Sequence, residues 1–197
     1  MEPTVNGLRP SSPGVDVNAR QPNQTPMSRE SRRSIPIPVQ VEVLFRGGWL
    51  CSLCHRPTIF PPAMRLAGEH VRALGYESPI AYHHPRWRRD AAPLLDHLGC
   101  VIDHEVAYAR GGPHAPENFA VACNKCNVYK STAEKAKYLA EHPLRSVKGK
   151  YGEPKNWDGL SSLFVVLARQ NPTSLRASEL RWLRALENHV RGTQATG

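Results

Sequence analysis

Two Cys-x-x-Cys pairs constrain the fold of this chain more than any other feature of its sequence. The pairs are Cys51-Ser-Leu-Cys54 and Cys123-Asn-Lys-Cys126. A tight turn lets both thiolates of such a pair reach one ion, and two pairs complete a tetrahedral zinc shell. We therefore predict that two distant segments meet at one zinc ion. The site is expected to be structural, because four thiolates leave no open position for water or substrate.

Buried free thiols and redox-active pairs are the alternatives to zinc. The first ten residues, MEPTVNGLRP, contain neither a basic n-region nor an apolar h-region, so we expect no secretory signal and a cytoplasmic location. Disulfides are rare in the cytosol, which favours metal binding. The fifth cysteine, Cys100, lies in an apolar stretch and is expected to pack in the core. His55 is interpreted as a bystander next to Cys54.

The charge balance of the chain indicates a polyanionic partner. Among 197 residues, 26 Lys and Arg face 17 Asp and Glu, a formal net charge of +9. Nucleic acid and anionic lipid are the usual partners of such a chain, and solvated charges that serve solubility are the alternative. The longest aliphatic run, residues 163–168, is far too short to cross a bilayer, so no membrane protein is expected.

Composition and periodicity divide the chain into three parts. Residues 1–40 are rich in Pro, Ser, Asn, Gln and Thr and are predicted to be a disordered arm. Residues 41–142 are predicted to form the main domain, with an insertion at about 57–99. Residues 143–197 are predicted to be a helical extension.

Local patterns predict a small hairpin among helices. Residues 39–45 alternate apolar with polar and predict a strand. Residues 100–109 and 119–123 predict two paired strands across a Gly-containing loop. Helices are predicted at 64–74, from 124 to about 139, at 157–169 and at 178–191. The predicted fold class is α+β.

A second cluster of chemically active residues overlaps the second cysteine pair. Asp103 and His104 are adjacent on a predicted strand and therefore point to opposite faces. One side chain can bind a hard metal while the other activates a water molecule. Asn127 and Lys130 are three residues apart on a predicted helix and share a face, where an amide oxygen and a cation suit a metal ion and a phosphate. Cys126 points about 100° away from Asn127, which separates the zinc from that face.

The complete motif resembles the HNH endonucleases, also called ββα-metal nucleases. Its elements are Asp103-His104, Gly111-Gly112, Asn118-Phe119 and the run Cys123-x-x-Cys126-Asn127-x-x-Lys130. The match is close over 103–130, and with the first cysteine pair it covers 51–130. The resemblance implies an α+β fold with a ββα-metal core held by a structural zinc, with additional flanking helices.

The resemblance also implies residue roles. His104 would be the general base, and Asp103 with Asn127 would hold Mg²⁺ or another divalent ion. Asn118 would brace the loop and orient His104 through backbone contacts. Lys130 would contact a phosphate. One departure from the family pattern is Ala107, where Pro is common, which removes a restraint on the loop.

Residues outside these positions carry weaker signals. Arg110 and His114, in the Gly loop, are candidate contacts to DNA, with solvent exposure as the alternative. Asp96-His97 repeats the Asp-His pair, but without Gly-Gly or Asn at matching distances, and we interpret it as helix surface. His83-His84 has no metal partner at a suitable spacing, and a structural or substrate-side role is expected there.

The leading hypothesis is a metal-dependent endonuclease that hydrolyses phosphodiester bonds in DNA. The alternative is a non-catalytic zinc ribbon that only binds nucleic acid; such a module needs the four cysteines but not the motif's Asp, His and Asn residues. A degenerate nuclease kept as an interaction domain is the third hypothesis, and the intact His104 argues against it. Cleavage of two strands would need a homodimer or a second binding event, since one site holds one phosphate.

Overall fold

The computed structural model describes residues 34–76, 92–142 and 156–195, and those from Ile35 onward form one compact unit. The described part of the chain combines helices with one small antiparallel sheet, which confirms the predicted α+β class. The helices are α1 (Ile37–Arg46), α2 (Pro61–Ala73), α3 (Pro93–Leu98), α4 (Asn124–Lys130), α5 (Lys135–Glu141), α6 (Ser161–Gln170) and α7 (Ala177–Gln194), and the strands are β1 (Cys100–His104) and β2 (Phe119–Cys123). None of these described helices is long and apolar enough to cross a membrane.

Some predictions fall outside these ranges. They concern most of the proposed arm, the His83-His84 pair and the first part of the proposed C-terminal extension. Within the described residues, the C-terminal helices α6 and α7 correspond to the two predicted at 157–169 and 178–191. The helical stretch predicted from 124 to about 139 is divided into α4 and α5.

The hairpin of β1 and β2 is the element that carries the motif residues. Its register runs from Cys100 opposite Cys123 to His104 opposite Phe119. β2 has the predicted bounds, whereas β1 ends at His104 and not at residue 109. The chain leaves the strand there because the loop turns through a short 3-10 helix, Tyr108–Arg110. α4 follows β2 directly and packs against both strands.

Residues 39–45 form part of α1, so the predicted strand is wrong. Pro38 lies in the first turn of the helix, where its missing N–H costs nothing and its fixed φ suits the helix. Val41 and Leu44 are buried, and α1 packs against α7 and β2. The β-branched residues fit both patterns, and tertiary packing decides between them. Residues 37–40, assigned to the disordered arm, are the first turn of this helix.

An aromatic cluster joins the C-terminal helices to the rest of the unit. Phe60, just before α2, lies with its ring centroid 5.9 Å from that of Trp49, 5.2 Å from Phe164 of α6 and 5.0 Å from Trp182 of α7. All three pairs are edge-to-face, the arrangement that aromatic quadrupoles favour. The cluster buries the inner faces of α6 and α7 against the helices that precede the hairpin.

A buried ion pair adds a second link between α2 and α7. The Arg65 guanidinium donates to both carboxylate oxygens of Glu179, and both side chains are 5% exposed. The carboxylate of Glu179 also accepts from the backbone N–H of Arg176 at the start of α7. Removal of Arg65 would leave the buried carboxylate of Glu179 without its ionic partner, which is costly in a protein interior.

Candidate functional site

The four cysteines of the two Cys-x-x-Cys pairs meet at one point. The Sγ atoms of Cys51, Cys54, Cys123 and Cys126 all lie within 4.8 Å of one another. All four are free thiols, and all but Cys54 are buried. Within the described residues, no other group of three or more His, Cys, Asp or Glu ligand atoms gathers in this way.

The backbone around each pair explains how the cysteines are brought together. The first pair lies in a turn in which the Cys51 N–H donates to the Arg56 carbonyl and the His55 N–H donates to the Cys51 carbonyl. The Ser52 N–H donates to the Val121 carbonyl at 2.8 Å, which ties this turn to β2. The second pair lies where β2 ends and α4 begins, and the Cys126 N–H points to the Cys123 Sγ at 3.5 Å.

The thiol cluster fits a tetrahedral zinc ion. With Zn–S bonds of about 2.3 Å, the edges of a regular sulfur tetrahedron are about 3.8 Å long. The Sγ atoms of Cys54 and Cys123 lie 3.9 Å apart. Hydrogen bonds within the cluster, chiefly with Cys123, lower the pKa of Cys51 and bring that of Cys126 to about 7, while contacts with the other thiols and burial raise the pKa of Cys54 and of Cys123. The donor set and its spacing could therefore hold a metal ion such as zinc.

Cys100 and His55, which the sequence does not predict to be zinc ligands, lie outside this cluster. Cys100 packs against the core at the start of β1, and burial raises the pKa of its thiol to about 12. His55 is exposed, and its backbone adopts a positive φ of 56° as the turn closes. Both interpretations agree with the structure.

His104 is the last residue of β1, where the strand leads into the Gly-containing loop. Its ring is half-buried and stands edge-to-face with that of Phe119, at a centroid distance of 5.0 Å. His104 Nε2 lies 3.2 Å from Nδ1 of His114, which comes from the same loop. The imidazole is therefore held between the sheet and the loop.

Asn118 braces the loop through three side-chain hydrogen bonds. Its Oδ1 accepts from the Val106 N–H at 2.9 Å, and its Nδ2 donates to the carbonyls of Val106 at 2.9 Å and of Pro113 at 2.8 Å. The residue is buried, so these bonds form away from solvent. The backbone carbonyl of Asn118 also accepts from the Glu105 N–H, next to His104. These hydrogen bonds join the two sides of the loop.

Each of the two glycines of the motif is needed for a different structural reason. Gly111 adopts φ +82°, in the left-handed region that favours glycine. Gly112 approaches the chain so closely that a Cβ there would lie 1.9 Å from the Val106 carbonyl oxygen and 3.0 Å from Asn118 Nδ2. A side chain at Gly112 would therefore push the loop off the asparagine that holds it.

Asp103 precedes His104 and forms an ion pair with Lys130 of α4. The Lys130 Nζ lies 3.0 Å from Asp103 Oδ2 and 3.3 Å from Oδ1, and it donates to the His104 carbonyl at 2.9 Å. Burial raises the pKa of Asp103 above its ordinary value, although Lys130 acts in the opposite direction. The adjacent residues at the end of β1 are thus tied to the helix by one ammonium group.

Lys130 does not suit the predicted role of an exposed phosphate contact. Its side chain is only 1% exposed, and its ammonium is directed at Asp103 and at the His104 backbone. A phosphate could take this ammonium only if the pair with Asp103 were broken, which is costly for a buried charge. The spacing placed Lys130 on the correct helix face but could not reveal how deeply that face is covered.

Asn127 lies on α4 and Arg110 lies in the Gly-containing loop. Asn127 is half-buried, one turn before Lys130, and residues at this spacing share a helix face. Cys126, the preceding residue, points instead into the thiol cluster. Arg110 is half-exposed in the loop and forms an ion pair with Glu134 at 3.5 Å, an exposed contact of little energetic weight.

Two further histidines, His97 and His114, lie on α3 and in the Gly-containing loop. His97 is exposed on α3, and Asp96 accepts a hydrogen bond from the Asn124 side chain, so this Asp-His pair belongs to a helix contact. His114 is exposed, as expected of a loop residue, but the sequence does not predict its contact with His104. The only signal in the sequence was its position in the loop between the paired strands, and loop conformation has no spacing rule.

Comparison with known proteins identifies the segment that contains these residues. Residues 93–133 match the family model described as HNH endonuclease. The match includes α3, the hairpin, the loop, α4 and the second cysteine pair. Neither a curated protein nor a solved structure matches the chain. The resemblance seen in the motif is thus confirmed: the chain contains an HNH endonuclease domain match at residues 93–133.

Proposed function

We propose that this protein is a metal-dependent endonuclease that hydrolyses phosphodiester bonds in DNA. The observation that carries the proposal is the position of His104 and Asp103 at the end of β1, beside the α4 face that contains Asn127. A base and a hard oxygen ligand on adjacent strand residues act from two directions, as hydrolysis at a phosphate requires. The HNH match at residues 93–133 supports this assignment.

His104 would take the proton from the attacking water. Asn118 would act by holding the backbone of the loop that follows His104, so that the imidazole keeps one orientation. The contact between the His104 ring and Phe119 restricts the ring from the other side. A positioned general base contributes about 10²- to 10⁴-fold to the rate of such reactions.

Asp103 and Asn127 would hold a divalent cation. The donor set fits Mg²⁺, which binds proteins through one or two oxygen ligands and keeps several waters. When bound, the ion supplies stabilisation of the charge on the phosphate and on the leaving 3′ oxygen. A carboxylate has about four lone-pair sites, so Asp103 can accept from Lys130 and still present an oxygen to a cation.

Lys130 and Arg110 would serve the reaction in different ways. Lys130 would orient the carboxylate of Asp103 and the backbone of His104 from within the protein. Arg110 would contact the DNA backbone, because its pair with Glu134 is exposed and exchanges readily with a phosphate. The net charge of +9 favours a polyanionic substrate.

The zinc would serve the fold and not the reaction. Four thiolates fill its coordination shell, and the cluster joins the Cys51–Cys54 turn to the junction of β2 and α4. Zinc binding would therefore fix the helix that presents Asn127 and Lys130. The ββα-metal core would consist of the hairpin, α4 and these two separate metal sites.

The test is cleavage of supercoiled plasmid DNA by the full chain. We expect conversion to nicked circles with Mg²⁺ or Mn²⁺, none with EDTA, and strong loss of activity in Asp103→Asn and Asn127→Ala. His97→Ala is the matched control, since His97 is exposed on α3 and should leave the rate unchanged. Nicking that persists in EDTA, or in both ligand variants, would refute the metal assignment.

The same experiment distinguishes the non-catalytic alternative. A zinc-loaded protein that shifts plasmid DNA on a gel but never cuts it, with any metal or with single-stranded DNA or RNA, would be a nucleic-acid-binding module. Linear product formed without nicked intermediates would indicate paired sites. Sedimentation of the protein would then test the proposed homodimer.

A further inference from the structure

The outer side of α7 carries three arginines that the proposed function leaves unused. Arg181, Arg184 and Arg191 are all exposed. At about 100° per residue, their positions lie within an arc of about 80° around the helix, and the exposed Asn188 lies between them. With a rise of about 1.5 Å per residue, they extend over about 15 Å along the axis. Every charged side chain within this arc of α7 is therefore positive.

The acidic residues of α6 and α7 leave this positive charge in place. α7 contains two acids, of which Glu179 is buried and paired with Arg65. The other, Glu187, accepts two hydrogen bonds from Arg169 of α6, at 2.9 and 2.7 Å, and lies 3.6 Å from Arg191. Two arginines thus share one carboxylate, which leaves a net positive charge at this contact. α6 itself contains no Asp or Glu.

The guanidinium groups of the outer side are available to a ligand. Among the residues that the structure describes, Arg181 and Arg184 have no ion-pair partner, and the Arg191 contact with Glu187 is exposed and exchanges readily. The planar guanidinium binds phosphate through two parallel N–H donors. One strand of duplex DNA carries a phosphate for about every 3.4 Å along the axis, so about 15 Å of helix faces roughly four phosphates.

An anionic lipid surface is the other polyanion that arginine-rich helices bind, and the packing of α7 disfavours it. A helix that lies in a membrane interface needs an apolar face that is free to enter the bilayer. The apolar side of α7 is used inside the protein, where Leu186 is buried and the ring of Trp182 stands edge-to-face with that of Phe60 at 5.0 Å. α7 also packs against α1 and α6. The packing therefore favours nucleic acid as the partner.

We propose that the arginine face of α7, formed by Arg181, Arg184 and Arg191, binds the phosphate backbone of DNA separately from the residues at the end of β1. This inference rests on the proposed function, because that function makes DNA the ligand. α1 packs against both α7 and β2, so one helix joins the arginine face to the hairpin. Contacts to phosphates carry no sequence information, so the arginine face raises the affinity for any duplex and leaves the chemical step unchanged.

The test measures the salt dependence of DNA binding. The zinc-loaded full chain is titrated into a duplex of about 20 base pairs without added divalent cation, so that nothing is cut. The logarithm of the association constant falls with that of the salt concentration by about 0.9 for each phosphate that is neutralised. We expect the slope to be shallower by about 0.9 in Arg181→Ala and in Arg184→Ala, and by about 1.8 in the double variant. At about 0.1 M salt, each replacement should weaken binding roughly tenfold.

Two controls separate these contacts from a general effect of charge. The double replacement Arg181→Lys/Arg184→Lys keeps both charges and should keep the slope. Arg72→Ala removes an exposed arginine from α2 and should change neither the slope nor the affinity. All these side chains are exposed, so thermal melting should stay unchanged. Equal slopes in the wild type and the double Ala variant, or a loss in Arg72→Ala as large as in Arg184→Ala, would overturn the proposal.

Two further measurements distinguish failure of this inference from failure of the proposed function. With saturating plasmid DNA, single-turnover nicking by Arg181→Ala/Arg184→Ala should match the wild-type rate, and a slower rate would contradict a role in binding alone. A wild type that shows the expected slopes but cuts no DNA would support the arginine face while the nuclease assignment fails. Binding to phosphatidylserine vesicles that is lost in the double variant, with DNA binding unchanged, would assign the face to lipid and overturn the proposal.

Discussion

Replacement of Asn118 by Ala tests the bracing of the loop most sharply. The side chain makes three hydrogen bonds, to Val106 N–H, to the Val106 carbonyl and to the Pro113 carbonyl, each between 2.8 and 2.9 Å. Each such bond contributes about 1 kcal/mol net, so we expect a loss of about 3 kcal/mol in the free energy of unfolding. For a chain of this size, that corresponds to a fall of roughly 6–12 °C in Tm.

The assay is urea unfolding together with amide hydrogen exchange at Val106, whose N–H would lose its acceptor. Glu117→Ala is the matched control, because Glu117 is exposed beside Asn118 and should change stability by less than about 0.5 kcal/mol. Nicking activity should also fall, because the loop loses its fixed conformation even at temperatures where the variant stays folded. An Asn118→Ala protein with unchanged unfolding and unchanged exchange at Val106 would refute the bracing.

Three further predictions concern the thiol cluster, the ion pair between Arg65 and Glu179, and the start of α6. Cys123→Ala should lose zinc and unfold the domain, as measured by metal content and thermal melting; unchanged values in both would refute the structural zinc. Arg65→Ala should cost about 3–5 kcal/mol in urea unfolding, because Glu179 stays buried without its partner, whereas Glu69→Ala, at the exposed end of the network, should cost under about 1 kcal/mol. Burial alone would raise the pKa of Asp158, but hydrogen bonds from the first turn of α6 lower it. This carboxylate therefore stabilises the fold at pH values above its unfolded pKa of about 3.9. The stabilisation is lost as the pH falls through the lower pKa that Asp158 has in the folded protein. The stability gap between Asp158→Asn and the wild type should therefore narrow below about pH 3.9; a gap that is constant from pH 7 to pH 3 would contradict this.

The cluster of four cysteines and the hairpin could be predicted from the sequence because each depends on short spacings. Two Cys-x-x-Cys pairs fix four ligands whatever the chain between them does, and the Sγ atoms do meet. The apolar residues 119–123, placed across a Gly-containing loop from residues 100–109, predicted β2 with its observed bounds. The run of motif residues from Asp103 to Lys130 predicted the HNH match that residues 93–133 show.

The failures have physical causes that short spacings do not contain. The apolar residues of 39–45 fit both the strand and the helix periodicity, and only packing against α7 and β2 selects the helix. The spacing of Lys130 gave its helix face but not its burial, so the sequence predicted a phosphate contact where the structure has a buried ion pair with Asp103. His114 reaches His104 through a loop whose course depends on Asn118 and on the glycines of the motif.

Replacement of His104 tests the central claim most directly. We expect His104→Ala to abolish metal-dependent nicking of plasmid DNA while zinc content and thermal melting match those of the wild type, because the imidazole lies outside the thiol cluster and Asn118 still holds the loop. Equal nicking rates in His104→Ala and the wild type, or loss of zinc and fold together with activity, would contradict the assignment of His104 as the general base.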